Sequence, residues 1–174
     1  AAGLRLKLYA CDVADRASLA ATLARIRQEL GPITAVVHNA GVPDGAFLAN
    51  SERSVTAYAE GLATKVTGTC LLDALTASDP VQAFVLAGSL TALTGAPGHA
   101  AYTGANAFLD AFAVQRRRRG QPALTIDWCG IRGMGMLARR LKGQPVDVDA
   151  GDADVGPLFH QALASGAAQI SLII

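Results

Sequence analysis

Short apolar runs of strand length alternate along this chain with longer segments whose apolar residues recur every three to four positions. Strands separated in this way by helices pair side by side in parallel, with the helices laid over both faces of the sheet. The expected fold is therefore α/β, a doubly wound parallel sheet. Leu4 to Ala10 reads as the first strand, alternating Leu4, Leu6 and Leu8. Asp15 is placed to cap a helix whose apolar face is Leu19, Leu23, Ile26 and Leu30, and Gly31-Pro32 stops it. Ile33 to Val37 is a second strand, continuous enough to be buried on both faces. A long helix is expected over Val55 to Ala77, striped by Tyr58, Leu62, Lys65, Thr69 and Leu72. Strands over Ala83 to Ala87, Ala123 to Trp128 and Gln169 to Ile174 alternate with helices over Ala100 to Arg118 and Gly156 to Ala164. A glycine-rich stretch runs from Gly130 to Gly151.

The composition allows one core and little else. With 174 residues, 51% hydrophobic content and a formal charge of +1, the chain has the size of one domain and no charge excess that suits nucleic acid. Its one basic cluster, Arg116 to Arg119, falls at a helix end, where cations complement the dipole and solvate readily. Cys11, Cys70 and Cys129 lie in apolar surroundings without metal-ligand spacing and read as buried small hydrophobes in a reducing compartment. No apolar run reaches the length of a membrane span and no secretory leader is evident, so a cytoplasmic chain without membrane or nucleic-acid partners is expected.

An open parallel sheet presents ligand-binding groups at the carboxyl ends of its strands, and Asp12, Asn39, Ser89 and Gly130 each follow a strand closely. Ser89 ends an apolar run, and Tyr102 opens a helix 13 residues later. A hydroxyl and a phenol so placed converge on one carbonyl oxygen, which suits reduction of a ketone by a hydride carrier. Asn106 lies one turn after Tyr102 on the same helical face. Lys65 falls within an apolar stripe and either snorkels past the helix rim or turns its charge inward to a user. A user is at hand in Tyr102, since a phenol gives up its proton more readily beside a cation. Taken singly, Ser89 also suits a turn cap, Tyr102 a half-buried aromatic and Asn106 a buried amide bonded to backbone. His38 and His99 have no metal-ligand spacing, so no metal is expected. Asp44 and Asp110 form no carboxylate pair in the sequence, and Asp110 reads as structural. The surroundings of Ser89 lack the second glycine of a nucleophile elbow, which disfavours acyl hydrolysis.

These residues resemble those of the short-chain dehydrogenase/reductase superfamily, and in particular the ketoreductase domains of modular polyketide synthases. The matching stretches are Ala10 to Val13, Val36 to Val42, Lys65 to Thr69, the Ser89 segment, and Gly98 to Tyr102 continuing into Asn106 to Asp110. Free-standing members mostly carry lysine after the tyrosine and asparagine on the preceding long helix; here Asn106 follows Tyr102 and Lys65 is on the long helix, as in synthase-embedded domains. The resemblance implies a Rossmann-like sheet, catalytic Tyr102, Ser89, Lys65 and Asn106, and NADPH as cofactor. It also implies cofactor contacts from Asp12, Val13, Asn39, Ala40, Gly41, Lys65, Tyr102, Gly130 and Ile131. Pro97, His99 and Met134 are expected to line the substrate entrance, and 130–151 to form the substrate lid. The implied substrate is a ketoacyl thioester carried by the phosphopantetheine of a carrier domain.

The family's glycine-rich phosphate loop and first two strands would precede Ala1, so 1–174 is expected to be a catalytic subdomain lacking its N-terminal part. That part and a structural subdomain of the same synthase are its expected partners. Trp128-Cys129-Gly130-Ile131 replaces the usual Trp-Gly-Pro-Trp, and Pro43-Asp44-Gly45 stands where one stereochemical class carries Leu-Asp-Asp. Two other readings are open. One is α-ketoacyl reduction in a depsipeptide-forming nonribosomal synthetase; the other is a non-catalytic structural subdomain.

Overall fold

The computed structural model describes residues 5–42, 53–130 and 154–172. Within them four strands, β1 (Ala35–His38), β2 (Ala83–Ser89), β3 (Leu124–Trp128) and β4 (Gln169–Leu172), form one sheet in the order β1-β2-β3-β4, every neighbouring pair parallel. The helices are α1 (Arg16–Leu30), α2 (Arg53–Leu75), a single turn α3 (Thr91–Thr94), α4 (Ala100–Arg118) and α5 (Val155–Ala164). Parallel neighbours need a crossover, and α2, α4 and α5 each provide one. None of the described helices is long and apolar enough to cross a membrane.

Period-two alternation along β2 divides the core between two faces. Phe84 and Leu86 pack with Leu19 and Leu23 of α1, Leu72 of α2, and Leu109, Phe112 and Ala113 of α4. Val85 points the other way and joins Leu124, Ile126 and Ala162, the last on α5. The sheet is thus covered by helices on both sides, as the sequence predicts. Helix ends follow local chemistry. The Asp15 carboxylate accepts a 2.8 Å bond from Ser18 N–H at the start of α1, and Gly31, at a φ of 96°, ends that helix in a conformation that a side chain would strain.

Three expectations are corrected. Residues 5–10 form no strand, and Leu6 and Leu8 are 80% and 88% exposed. The alternation is present, but a strand exists only where a second backbone completes its ladder, and β1 pairs with β2 alone among the described strands. The segment is tied instead to α1, where Glu29 accepts bonds from Lys7 at 2.5 Å and Tyr9 at 2.9 Å. The second strand starts later, and its burial alternates. Val36 and His38 are buried while Val37 is 58% exposed, because only one face of this outer strand is covered. Cys70, expected inside, lies exposed on α2, and Cys11 and Cys129 are only partly buried.

The arginine run is likewise not a uniformly solvated helix end. Arg116 is buried, pairs with Asp73 at 2.8 Å, donates to Pro122 O and lies 4.3 Å from the Phe84 ring centroid. Arg117 reaches across to Gly166 O at 2.8 Å and Ala167 O at 3.0 Å, bracing the turn before β4. Arg118 and Arg119 are exposed. A buried cation that has lost its partners, or a buried partner that has lost its cation, is expensive. Arg116→Ala is therefore expected to lower stability by about 3 kcal/mol in denaturant unfolding, against less than about 0.5 kcal/mol for Arg118→Ala. Equal effects of the two substitutions would refute the structural role given to Arg116.

Candidate active site

The inward stripe of α2 carries Gly61, Lys65, Gly68, Thr69 and Leu72 against the sheet and its neighbouring helix. Lys65 is 5% exposed, so its amine does not snorkel; its Nζ donates a 2.6 Å bond to Ala87 O, two residues before the end of β2. Burial pulls its pKa down from 10.5 to about 8, and the Asp127 carboxylate works in the opposite direction. An ammonium has three N–H donors, and the Ala87 carbonyl takes one.

Ser89 closes β2, nearly buried. Its Oγ accepts from Thr91 N–H at 3.3 Å and Thr91 Oγ1–H at 3.0 Å, so the turn-cap reading of this serine is realised. Those bonds use lone pairs of the hydroxyl and not its proton. The single turn α3 follows and packs against α4, whose first turn holds Tyr102, partly buried. Asn106, fully buried, donates from Nδ2 to Tyr102 O at 2.7 Å. Its Oδ1 is buried and meets no donor among the described residues. Lys65 is thus fastened to β2 beside Ser89, Asn106 to the tyrosine's own turn, and α2 to α4 by direct packing.

The remaining candidates divide by place. Asn39, exposed, and Ala40 and Gly41, partly buried, follow β1 directly; Gly130 follows β3. Asp12 is exposed, with Oδ1 accepting from Ala14 N–H at 2.9 Å just before α1. Val13 lies close to α2, since a Cβ on Gly68 would stand 3.1 Å from its Cγ2. Pro97 is exposed in the loop before α4, its carbonyl 2.9 Å from His99 Nδ1. Ile131, Met134 and the expected lid beyond Gly130 lie outside the described residues, as does Pro43-Asp44-Gly45. Among the described residues no group of three His, Cys, Asp or Glu is set to hold a metal ion.

Sequence spacing missed one pairing. Asp110, read as a lone structural residue, has Asp127 as a like-charged neighbour, and burial together with that neighbour raises its pKa to about 7. The signal in the sequence was an acidic residue inside the otherwise apolar strand β3, in the run Leu124 to Trp128.

His38 explains itself differently. It is buried at the end of β1, with Nε2 3.2 Å from Thr64 O, and burial together with the Lys65 charge lowers its pKa from 6.5 to about 4. The unfolded chain therefore binds a proton at this residue near pH 6.5 that the folded chain refuses until about pH 4, so stability is lost as pH falls through that window. Relative to wild type, His38→Gln is expected to gain stability over the same interval, by roughly 3 kcal/mol at its acid end. Parallel stability curves for the two proteins would rule this out.

Residues 1–133 match the family model described as the KR domain. The chain is 42% identical over 163 residues to the polyketide synthase GfsA of Streptomyces halstedii, covering 94% of this chain and 2% of that protein. It is 36% identical over 175 residues to the erythronolide synthase EryA3 of Saccharopolyspora erythraea, covering 99% of this chain and 5% of that protein. The chain thus spans a small fraction of each relative's length. A solved structure described as an A1-type ketoreductase superposes with a TM-score of 0.81 at 35% identity, covering 97% of this chain and 36% of that one. Fold and these similarities agree: the chain belongs to the KR domain family, the short-chain dehydrogenase/reductase type of ketoreductase domain found in polyketide synthases.

Proposed function

We propose that this chain is the catalytic subdomain, 1–174, of a ketoreductase that reduces a ketoacyl thioester, carried by the phosphopantetheine of a carrier domain, to the hydroxyacyl form. The observation that carries this reading is the buried Lys65 amine bonded to Ala87 O, two residues from Ser89, while Asn106 is locked to the turn bearing Tyr102. A buried cation needs a use, and a phenol at the start of the adjacent helix is one.

In this mechanism NADPH, when bound, supplies the hydride to the carbonyl carbon. Tyr102 donates its phenolic proton to the carbonyl oxygen, and Ser89, whose own proton is not used in its bonds to Thr91, donates a hydrogen bond to the same oxygen as charge develops there. Lys65 stabilises the resulting phenolate, and its remaining N–H groups suit the ribose hydroxyls of the cofactor. Asn106 fixes the tyrosine's turn and offers its unpaired Oδ1 to a donor in the site. Asn39, Ala40, Gly41 and Gly130 stand at the carboxyl ends of the strands, where the nicotinamide end of the cofactor is held; Asp12 and Val13 would border its adenine. Pro97 and His99 line the substrate entrance on this reading. Ile131, Met134 and a lid over 130–151 complete it, with the phosphate-binding loop and a structural subdomain belonging to other parts of the synthase.

The host is best read as a polyketide synthase, since the relatives above are of that class. Lys65 bonded two residues before Ser89, and Asn106 bonded to the turn that bears Tyr102, support this reading over a purely structural subdomain.

Tyr102→Phe removes the proton donor and leaves the ring. In the full-length polypeptide, kcat for a ketoacyl thioester should fall at least about a hundredfold, with NADPH affinity little changed. Lys65→Met should slow turnover and weaken NADPH binding as well. A Tyr102→Phe protein of wild-type activity would eliminate the mechanism.

A further inference from the structure

The sheet face beneath α2 and α4 holds a second set of polar groups that the tetrad does not use. Asp127 is fully buried on β3, and its Oδ2 accepts a 2.7 Å bond from Gln169 Nε2 on β4. Asp110 approaches it from α4, where Leu109 O, one residue before, accepts a 3.0 Å bond from Thr125 Oγ1, two residues before Asp127 on the same face of β3, and burial with the like charge of Asp127 raises the Asp110 pKa. Oδ1 of each is buried and meets no N–H or O–H donor among the described residues. Two ionised carboxylates repel in such a place; a proton held between them satisfies both. The backbone makes room for this pair. A Cβ on Gly88, which stands opposite Asp127 in the ladder, would come within 2.2 Å of Asp127 Oδ1 and 2.8 Å of Thr125 Cγ2. Glycine there leaves room for the carboxyl over β2, one residue from Ala87, whose carbonyl holds Lys65.

Lys65 is the cation of this cluster. Among the described residues, His38 from β1 and Asp127 from β3 act on it, Tyr102 from α4 joins them on the reductase reading, Asp110 from α4 acts through Asp127, and β4 contributes the neutral Gln169. His38 stays uncharged near neutrality, so among these described groups Lys65 is the cation and the carboxyl pair supplies the negative charge. Tyr102, Asn106 and Asp110 follow at four-residue intervals along one face of α4, which carries the helix from the phenol to the pair.

We propose that Asp127 and Asp110 share one proton, and that the single negative charge left on the pair is the counter-ion that keeps Lys65 protonated beside Ser89. Asp127 is then a positioning residue, acting through Lys65; this rests on the reductase reading given above. The directions of titration agree. Burial alone pushes Lys65 toward neutrality, the one opposing influence is Asp127, and both carboxyl groups are raised.

Two measurements on the full-length polypeptide test it. With isotope-labelled aspartate, the infrared spectrum of the wild type at neutral pH should contain a protonated carboxylic acid band that is lost in Asp110→Asn and in Asp127→Asn. In the pH profile of kcat, Asp127→Asn should move the alkaline limb downward by about one unit or more while sparing activity at acidic pH. Asp110→Asn, which leaves a full charge on Asp127, should not move it downward. A packing defect alone would depress activity at every pH without moving the limb. Absence of the band in the wild type, or an alkaline limb unmoved in Asp127→Asn, overturns the proposal. Should Asp127→Asn fail to fold, the wild-type band and the Asp110→Asn profile decide. A wild type that carries the band but reduces no ketoacyl thioester would support the shared proton and sink the reductase reading.

Discussion

The bond from Lys65 Nζ to Ala87 O does more than satisfy a buried amine. It fastens the longest of the described helices to an inner strand next to the residue that ends that strand, and so fixes α2 relative to β2 at the carboxyl rim of the sheet. An ammonium in this place is uncomfortable unless charge and acceptors are arranged around it. Much of the surrounding design follows. Gly68 lets α2 approach Val13 and His38 closely, His38 is held neutral, and an acidic residue sits within an apolar strand.

Charge is handled in two distinct ways at the two ends of the sheet. At the amino ends, Arg27 pairs with Asp79 at 2.6 Å and Arg116 with Asp73 at 2.8 Å; both guanidiniums also donate to carbonyl oxygens, of Leu75 and Pro122. These planar, multiply bonded pairs are fully matched and hold helices to turns. At the carboxyl ends the matching is partial. Lys65 and Asn106 Oδ1 keep unused valence, as suits groups that the proposed reaction sets against a substrate or a cofactor.

Much of this was legible in the sequence because its signals were local. The caps at Asp15 and Gly31, the stripe of α2, and the placement of Ser89 and Tyr102 each rest on spacing within one element or across one connection. What escaped depended on partners distant in the chain. Leu4 to Ala10 has the alternation of a strand, but alternation does not report whether a neighbouring backbone is present. The arginine run looked uniform, yet Arg116 differs from Arg118 through Asp73, Phe84 and Pro122 on other elements. Asp110 looked solitary because Asp127 reaches it only after β3 is laid beside β2.

The strand order also bears on how the chain acquires its shape. Each strand joins the edge left by the one before it, through a single crossover, so no strand must be threaded between two others already paired. The entropy of closing each loop grows only slowly with its length and is met three times over comparable spans. Such a sheet is able to lengthen from one side as the polypeptide emerges, with the apolar surface of β2 covered as α4 docks.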